Sequence, residues 1–178
     1  MKGELKYTTR AVLPSAIAMR VLLLRPVPGN ERFGLGPFFR IEPLGMEYIA
    51  AALEAAGHRV TLVDLRFGRS VEHYMARVRP GLVGIAAMHA LETAEVLALA
   101  ARVRRIAADV PVVIGGHTAA AYPGPFLTPD VNAVVLDDGE RVMPRVCAAL
   151  DQHRPIDSIP GLAIQNCDDR ASSISGAA

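Results

Sequence analysis

The chain has no tryptophan, and only 5 % of its residues are aromatic. Its strands must therefore be aliphatic and covered by helices, which argues against a sandwich of two sheets. It has two cysteines, Cys147 and Cys167. Their separation matches neither a metal-ligand spacing nor a disulfide framework. No C-x-x-x-C-x-x-C triplet occurs, so no iron–sulfur cluster of that type is expected in this chain. No apolar run reaches the ~18 residues needed to cross a bilayer, and no transmembrane segment is expected. A net charge of +1 gives no field that would gather nucleic acid or an anionic membrane surface. The one basic cluster, Arg102, Arg104 and Arg105, ends a helical pattern, where cations favour the dipole. Residues 1–18 lack the layout of a signal peptide and read as an N-terminal extension. The reducing cytoplasm is the expected compartment.

Several catalytic and phosphate-binding signatures are missing too. There is no G-x-x-x-x-G-K-[ST], and Gly29, Gly34 and Gly36 do not form a strand-to-helix G-x-G-x-x-G. No serine sits in a G-x-S-x-G elbow.

What the chain does have is length and aliphatic bulk. Its 178 residues, 51 % hydrophobic, suit one domain with a full core. Short β-branched runs at residues 21–24, 60–64, 82–87, 112–114 and 131–136 read as five buried strands. A sixth is possible at residues 161–165. Helical patterns alternate with them. One covers residues 45–56, with Met46, Ile49, Ala50 and Leu53 on one face and Gly57 as a stop. A second runs from an N-cap at Ser70 to Val78. The strongest, residues 91–106, places Leu91, Ala94, Ala98, Leu99, Val103 and Ile106 at core-facing spacing. The last covers residues 139–150, and a short helix is expected within the Pro-rich residues 122–129. Such alternation predicts an α/β fold: a doubly wound, flavodoxin-like or Rossmann-like five-stranded parallel sheet in three layers, α/β/α, with strand order 2-1-3-4-5. The folded domain is expected over residues 19–166, followed by a flexible tail at residues 167–178.

In that order the ligand crevice collects the loops after the first, third, fourth and fifth strands. They carry residues 25–40, then Met88-His89, Gly115-Gly116-His117-Thr118 and Asp137-Asp138-Gly139-Glu140. The paired glycines either form a simple turn or let the backbone approach a bulky ligand. The acidic knot either caps a helix, with Asp138 at its N-terminus and Glu140 favouring the dipole, or bonds a polar ligand. Of five histidines, His58, His73 and His153 read as surface residues, while His89 and His117 end strands on the ligand edge.

Six phrases, in order, carry a resemblance. They are Arg20-Val21-Leu22-Leu23-Leu24-Arg25-Pro26, Glu42-Pro43-Leu44-Gly45-Met46-Glu47, Ala55-Ala56-Gly57-His58-Arg59-Val60, Arg79-Pro80-Gly81-Leu82-Val83-Gly84-Ile85, Gly115-Gly116-His117 and Asp138-Gly139-Glu140. Together they resemble the cobalamin (B12)-binding domain at the amino end of cobalamin-dependent radical SAM enzymes. The phrase Arg40-Ile41-Glu42-Pro43-Leu44-Gly45 looks most like hopanoid methylases. The resemblance implies a corrinoid across the carboxyl edge of the sheet, its nucleotide tail beside the fourth and fifth strands where Gly115 and Gly116 leave room. It implies cofactor contacts from Pro26, Met88, His89, Gly115, Gly116, His117, Thr118, Asp137, Asp138, Gly139 and Glu140, and no catalytic residue. In that family the cofactors carry a methyl group from S-adenosylmethionine to an unactivated carbon, and the domain holds and desolvates the corrinoid.

Three departures qualify the match. The first strand runs into Arg25-Pro26-Val27-Pro28-Gly29-Asn30, without the D-x-H-x-x-G of carriers that supply an axial histidine. A corrinoid without that ligand is therefore implied, and His89 is the weak substitute candidate for cobalt. Ala86-Ala87-Met88 stands where the family often has small hydroxyl residues. The acidic knot replaces Gly-Glu-Gly-Glu. The chain stops at Ala178, before any barrel with cluster cysteines, so it reads either as a truncated module or as a protein on its own. The leading expectation is a corrinoid-binding module, catalytically incomplete alone, that serves a radical SAM domain or partner. A second reading is an α/β binding or regulatory domain that no longer binds cobalamin. A third, a small hydrolase or transferase, lacks a nucleophile–base pair.

Overall fold

The computed structural model describes residues 18–27 and 43–165. The expected extension, most of the loop after the first strand and the tail lie outside the described residues. The elements are β1 (Arg20–Arg25), α1 (Leu44–Ala55), β2 (Arg59–Asp64), α2 (Val71–Val78), β3 (Leu82–Ala86), α3 (Thr93–Ile106), β4 (Val112–Gly115), α4 (His117–Ala121), β5 (Ala133–Val135), α5 (Gly139–Asp151) and β6 (Leu162–Ala163). Single 3-10 turns at Ala90–Glu92 and Gly124–Phe126 punctuate the chain.

The sheet runs β2-β1-β3-β4-β5-β6, parallel except for the antiparallel β5–β6 edge. The expected five-strand order is present, and residues 161–165 do contribute a sixth strand. Successive side chains of β1 serve opposite faces. Leu22 and Leu24 pack with Val71 and Met75 of α2 and Val96, Leu99 and Val103 of α3. Val21 and Leu23 pack with Met46 and Leu53 of α1 and Val142, Met143 and Val146 of α5. Both faces are covered, which is why the strands are apolar throughout instead of alternating.

α3 turns a different face to the sheet from the one its apolar spacing suggests. Its buried stripe is Val96, Leu99, Ala100 and Val103. Leu99 and Val103 were placed correctly, but Ala94 and Ala98 are exposed, as are Leu91 and Ile106. A 3-10 turn at Ala90–Glu92 precedes the helix and takes Leu91 off its core face. His58, read as a surface residue, is buried. Its N–H bonds the Leu53 carbonyl at 3.1 Å and that of Gly57, at φ +92°, bonds Glu54 at 2.9 Å. This is the Schellman ending, whose residue after the glycine packs back onto the helix. His73 is half-buried in α2, edge-on to Tyr74. Ser70 holds the N-cap position of α2, but its hydroxyl bonds the Glu72 carboxylate and no backbone N–H. A helix in the stretch after β4 was expected within residues 122–129; the α-helix lies earlier, and only the turn Gly124–Phe126 falls in that range.

Candidate functional site

Parallel strands bring five carboxyl ends to one edge. Strand spacing of ~4.8 Å makes the line from β2 to β5 about 19 Å long. Just past the strand ends stand Phe67 after β2, Val27 after β1, Met88 and Leu91 after β3, and Leu136 after β5, each between 40 and 80 % exposed. Leu44, opening α1 at the same edge, is also exposed. Scattered apolar residues on a surface are ordinary, but a series aligned along one sheet edge marks a ligand or partner site.

The expected site residues distribute unevenly along this edge. Met88, His89, Gly116 and His117 are exposed, and Thr118 is half-buried. Among the described residues no hydrogen bond is made by the His89 or His117 ring. His117 and Thr118 lie in the first turn of α4, not in a loop. Pro26, directly after β1, is buried. Asp137, Asp138 and Glu140 are exposed at the start of α5. Asp137 accepts the Asp138 N–H through Oδ1 at 2.8 Å. Asp138 occupies the N-cap position without a side-chain capping bond, its carboxylate 3.9 Å from Arg141. Glu140 favours the dipole of the first turn, as expected.

Two of these glycines, Gly116 and Gly139, are required by the protein's own packing. Gly116 has φ +108°, and a Cβ there would lie 2.7 Å from the Ala87 carbonyl oxygen. That carbonyl accepts the Thr118 N–H at 3.1 Å, and the Ala87 N–H donates to Gly115 at 2.7 Å. The space on the Cβ side of Gly116 is thus filled by the β3–β4 junction, so the protein's own packing already requires glycine at this exposed position. A Cβ on Gly115 would meet Val135 at an ordinary 3.5 Å. Gly139, half-buried, lets α5 close on α1, since its Cβ would fall 2.6 Å from Ile49 Cδ1.

Sequence reasoning missed a charged network at the β1–β2 end of the edge. Arg25 and Asp64 are direct register partners. Arg66 reaches back to Asp64, Nη2 to Oδ2 at 2.6 Å and Nε to Oδ1 at 3.0 Å, while its own backbone N–H donates to Oδ1 at 3.0 Å. Arg25 stands 3.7 Å from Oδ2. Burial pushes the Asp64 carboxyl up, but the Arg66 bonds and the charges of Arg66 and Arg25 overcome it and hold it below its ordinary value. The Asp64 bond raises Arg66, and buried Glu92 contributes at longer range. The readable signal was a strand-ending Asp with Arg two residues on, but the Arg25 partner needed the strand register.

Among the described residues no group of three His, Cys, Asp or Glu side chains could hold a bare metal ion. The edge offers apolar surface, two histidines and a few carboxylates.

A family model described as the B12 binding domain matches residues 37–147. The chain belongs to the B12-binding domain family. The hopanoid C-3 methylase of Methylococcus capsulatus is 28 % identical over 134 residues, 70 % of this chain and 25 % of that protein. The anaerobic magnesium-protoporphyrin IX monomethyl ester cyclase of Synechocystis sp. is 28 % identical over 158 residues, 83 % of this chain and 31 % of that one. This B12-binding domain chain thus spans between a quarter and a third of the curated relatives it matches. A crystal structure of a cobalamin-binding protein from Desulfitobacterium hafniense superposes with TM-score 0.52 at 15 % identity, covering 73 % of this chain and 58 % of that one. That likeness concerns the fold alone.

Proposed function

We propose that this chain binds a corrinoid across the carboxyl edge of its sheet and serves methyl transfer, or related chemistry, with a radical SAM domain or partner. The observation that carries this is the exposed apolar series Val27, Met88, Leu91 and Leu136 at that edge of a B12-binding domain. A corrin ring is a broad, mostly apolar plate with amides around its rim. Covering ~400 Å² of such surface would contribute on the order of 10 kcal/mol before the costs of ordering the complex. The cofactor would bring its own ligands for cobalt, so the chain would not need a metal-binding cluster of its own. His89 is the candidate axial ligand on the edge, and the spectrum of bound cofactor reports whether it reaches the metal.

In this reading Met88 and Leu136 would offer the apolar surface that holds the ring. Gly115, Gly116, His117 and Thr118 would frame its β4 side, and the carboxylates of Asp137, Asp138 and Glu140 would accept hydrogen bonds from its amides beside Gly139 at the start of α5. Buried Pro26 would fix the backbone next to Val27. The cofactor supplies a cobalt centre able to accept and release a methyl group; the chain supplies binding, orientation and exclusion of water. Residues 19–166 form the binding unit, in a reducing cytoplasm, with no catalytic residue or iron–sulfur cluster of their own. The relatives' greater length supports a larger assembly in which a further domain generates the radical.

Reconstitution with hydroxocobalamin followed by gel filtration tests the reading. A corrinoid spectrum co-eluting with protein at near one equivalent is expected. A colourless protein with intact far-ultraviolet circular dichroism would instead favour a binding or regulatory domain without the cofactor.

A further inference from the structure

The crevice rule places the site on the loops after β1, β3, β4 and β5 and leaves the loop after β2 outside. That loop is nevertheless a built structure. The Asp64 carbonyl accepts the N–H groups of Phe67 and Gly68, both at 3.1 Å. The Leu65 N–H donates to the Arg25 carbonyl at 3.0 Å, fastening the loop to β1. The Arg69 N–H donates to the Tyr74 hydroxyl at 3.2 Å. At Gly68 a Cβ would lie 2.9 Å from that hydroxyl and 3.2 Å from the Asp64 carbonyl oxygen. Arg66, forked onto Asp64, lies with its guanidinium carbon 5.0 Å from the centre of the Phe67 ring, within cation–π range. The backbone bonds of this loop and the Arg66 guanidinium beside the ring thus hold in place one aromatic that is still 58 % exposed.

The geometry points to Phe67 as a further wall of the corrinoid site, held in place by the Asp64–Arg66 fork. An exposed aromatic on a backbone held by these bonds, with Arg66 beside its ring, loses less freedom when a ligand covers it, which is what preorganisation contributes to affinity. β2 neighbours β1, so Phe67 extends the apolar series past Val27 to the end of the sheet edge. Phe67 would touch the cofactor; Asp64 acts only through Arg66 and Phe67 and is a positioning residue. The inference rests on the corrinoid reading above.

The test is a hydroxocobalamin titration, by absorption, of wild type, Phe67→Ala, Phe67→Leu, Asp64→Asn and the double variant Asp64→Asn/Phe67→Ala, with His153→Ala as control. Thermal unfolding by circular dichroism checks that each is folded. Phe67→Ala is expected to weaken binding about tenfold, as fits losing part of an aromatic's burial, and Phe67→Leu to recover most of it. Asp64→Asn should weaken binding severalfold, with the double variant no weaker than Phe67→Ala alone. Such non-additivity is the mark of one residue acting through another. Wild-type affinity in Phe67→Ala would overturn the inference while leaving the corrinoid reading intact. Additive losses would overturn the positioning role of Asp64. Failure of wild type itself to bind would remove both readings together.

Discussion

Replacing Gly116 by alanine should damage the fold before it damages any ligand site. The backbone there has φ +108° and ψ 170°, a region essentially reserved for glycine, and an alanine held in it costs about 1–3 kcal/mol. The new Cβ would stand 2.7 Å from the Ala87 oxygen and 3.1 Å from that residue's carbonyl carbon and amide nitrogen. All three are backbone atoms of a buried residue, so no side chain can swing aside, and overpacking of this kind costs a further 1–3 kcal/mol or so. The Thr118-to-Ala87 hydrogen bond is strained in the same movement. A loss of about 4 kcal/mol is a large part of a typical stability and should lower Tm by roughly 8–16 °C in a chain of this size. Gly115→Ala is the control one residue away: its Cβ would meet Val135 at 3.5 Å, an ordinary contact, so the loss should stay below about 1 kcal/mol. Urea unfolding followed by circular dichroism, without corrinoid, measures both. A loss below about 1 kcal/mol for Gly116→Ala would refute the packing argument.

Other consequences are equally open to measurement. Gly139→Ala should cost about 1–2 kcal/mol, because its Cβ would press on Ile49 Cδ1, and adding Ile49→Val should return part of that loss in the same unfolding assay. Burial, with Asp151 adding to it, pushes the Cys147 thiol up to about 12. In a Cys167→Ser background the native protein should then resist maleimide at neutral pH and react only on unfolding. Its folded value lies above its unfolded one, so Cys147 lowers stability as pH rises from about 9 towards 12, and Cys147→Ala should flatten that alkaline limb. Asp64 is held below its ordinary 3.8, so its contribution is complete above that value and fades as pH falls below it. Asp64→Asn should accordingly reduce the acid dependence of stability, as measured by urea midpoints between about pH 5 and pH 2.

Much of the architecture was legible because buried parallel strands are apolar on both faces and each ends in glycine, proline or a polar residue. Strand positions, helix alternation and the order through β5 follow from that. The face of α3 was not legible. Alanine, leucine and valine occur on every side of it, so two stripes compete, and the sheet takes the one bearing Val96 and Val103. His58 could have been read from Leu53 and Gly57, since a residue after a helix-ending glycine packs against the last turn. The glycine pair was located but its cause was not: the atoms opposing Gly116 belong to Ala87, 29 residues earlier, and only the β3–β4 register brings them together. The Arg25–Asp64–Arg66 network depends in the same way on the β1–β2 register.

The central claim is about location: a corrinoid on the carboxyl edge and nowhere else. The direct test is the hydroxocobalamin dissociation constant of Met88→Asp set beside that of Ile106→Asp, which is exposed at the opposite end of α3. Both add one charge to an exposed apolar position, so their effects on folding should be similar and small. Binding weakened at least tenfold by Met88→Asp and untouched by Ile106→Asp is the predicted result. Equal affinity in the two variants would contradict it and move the cofactor off this edge.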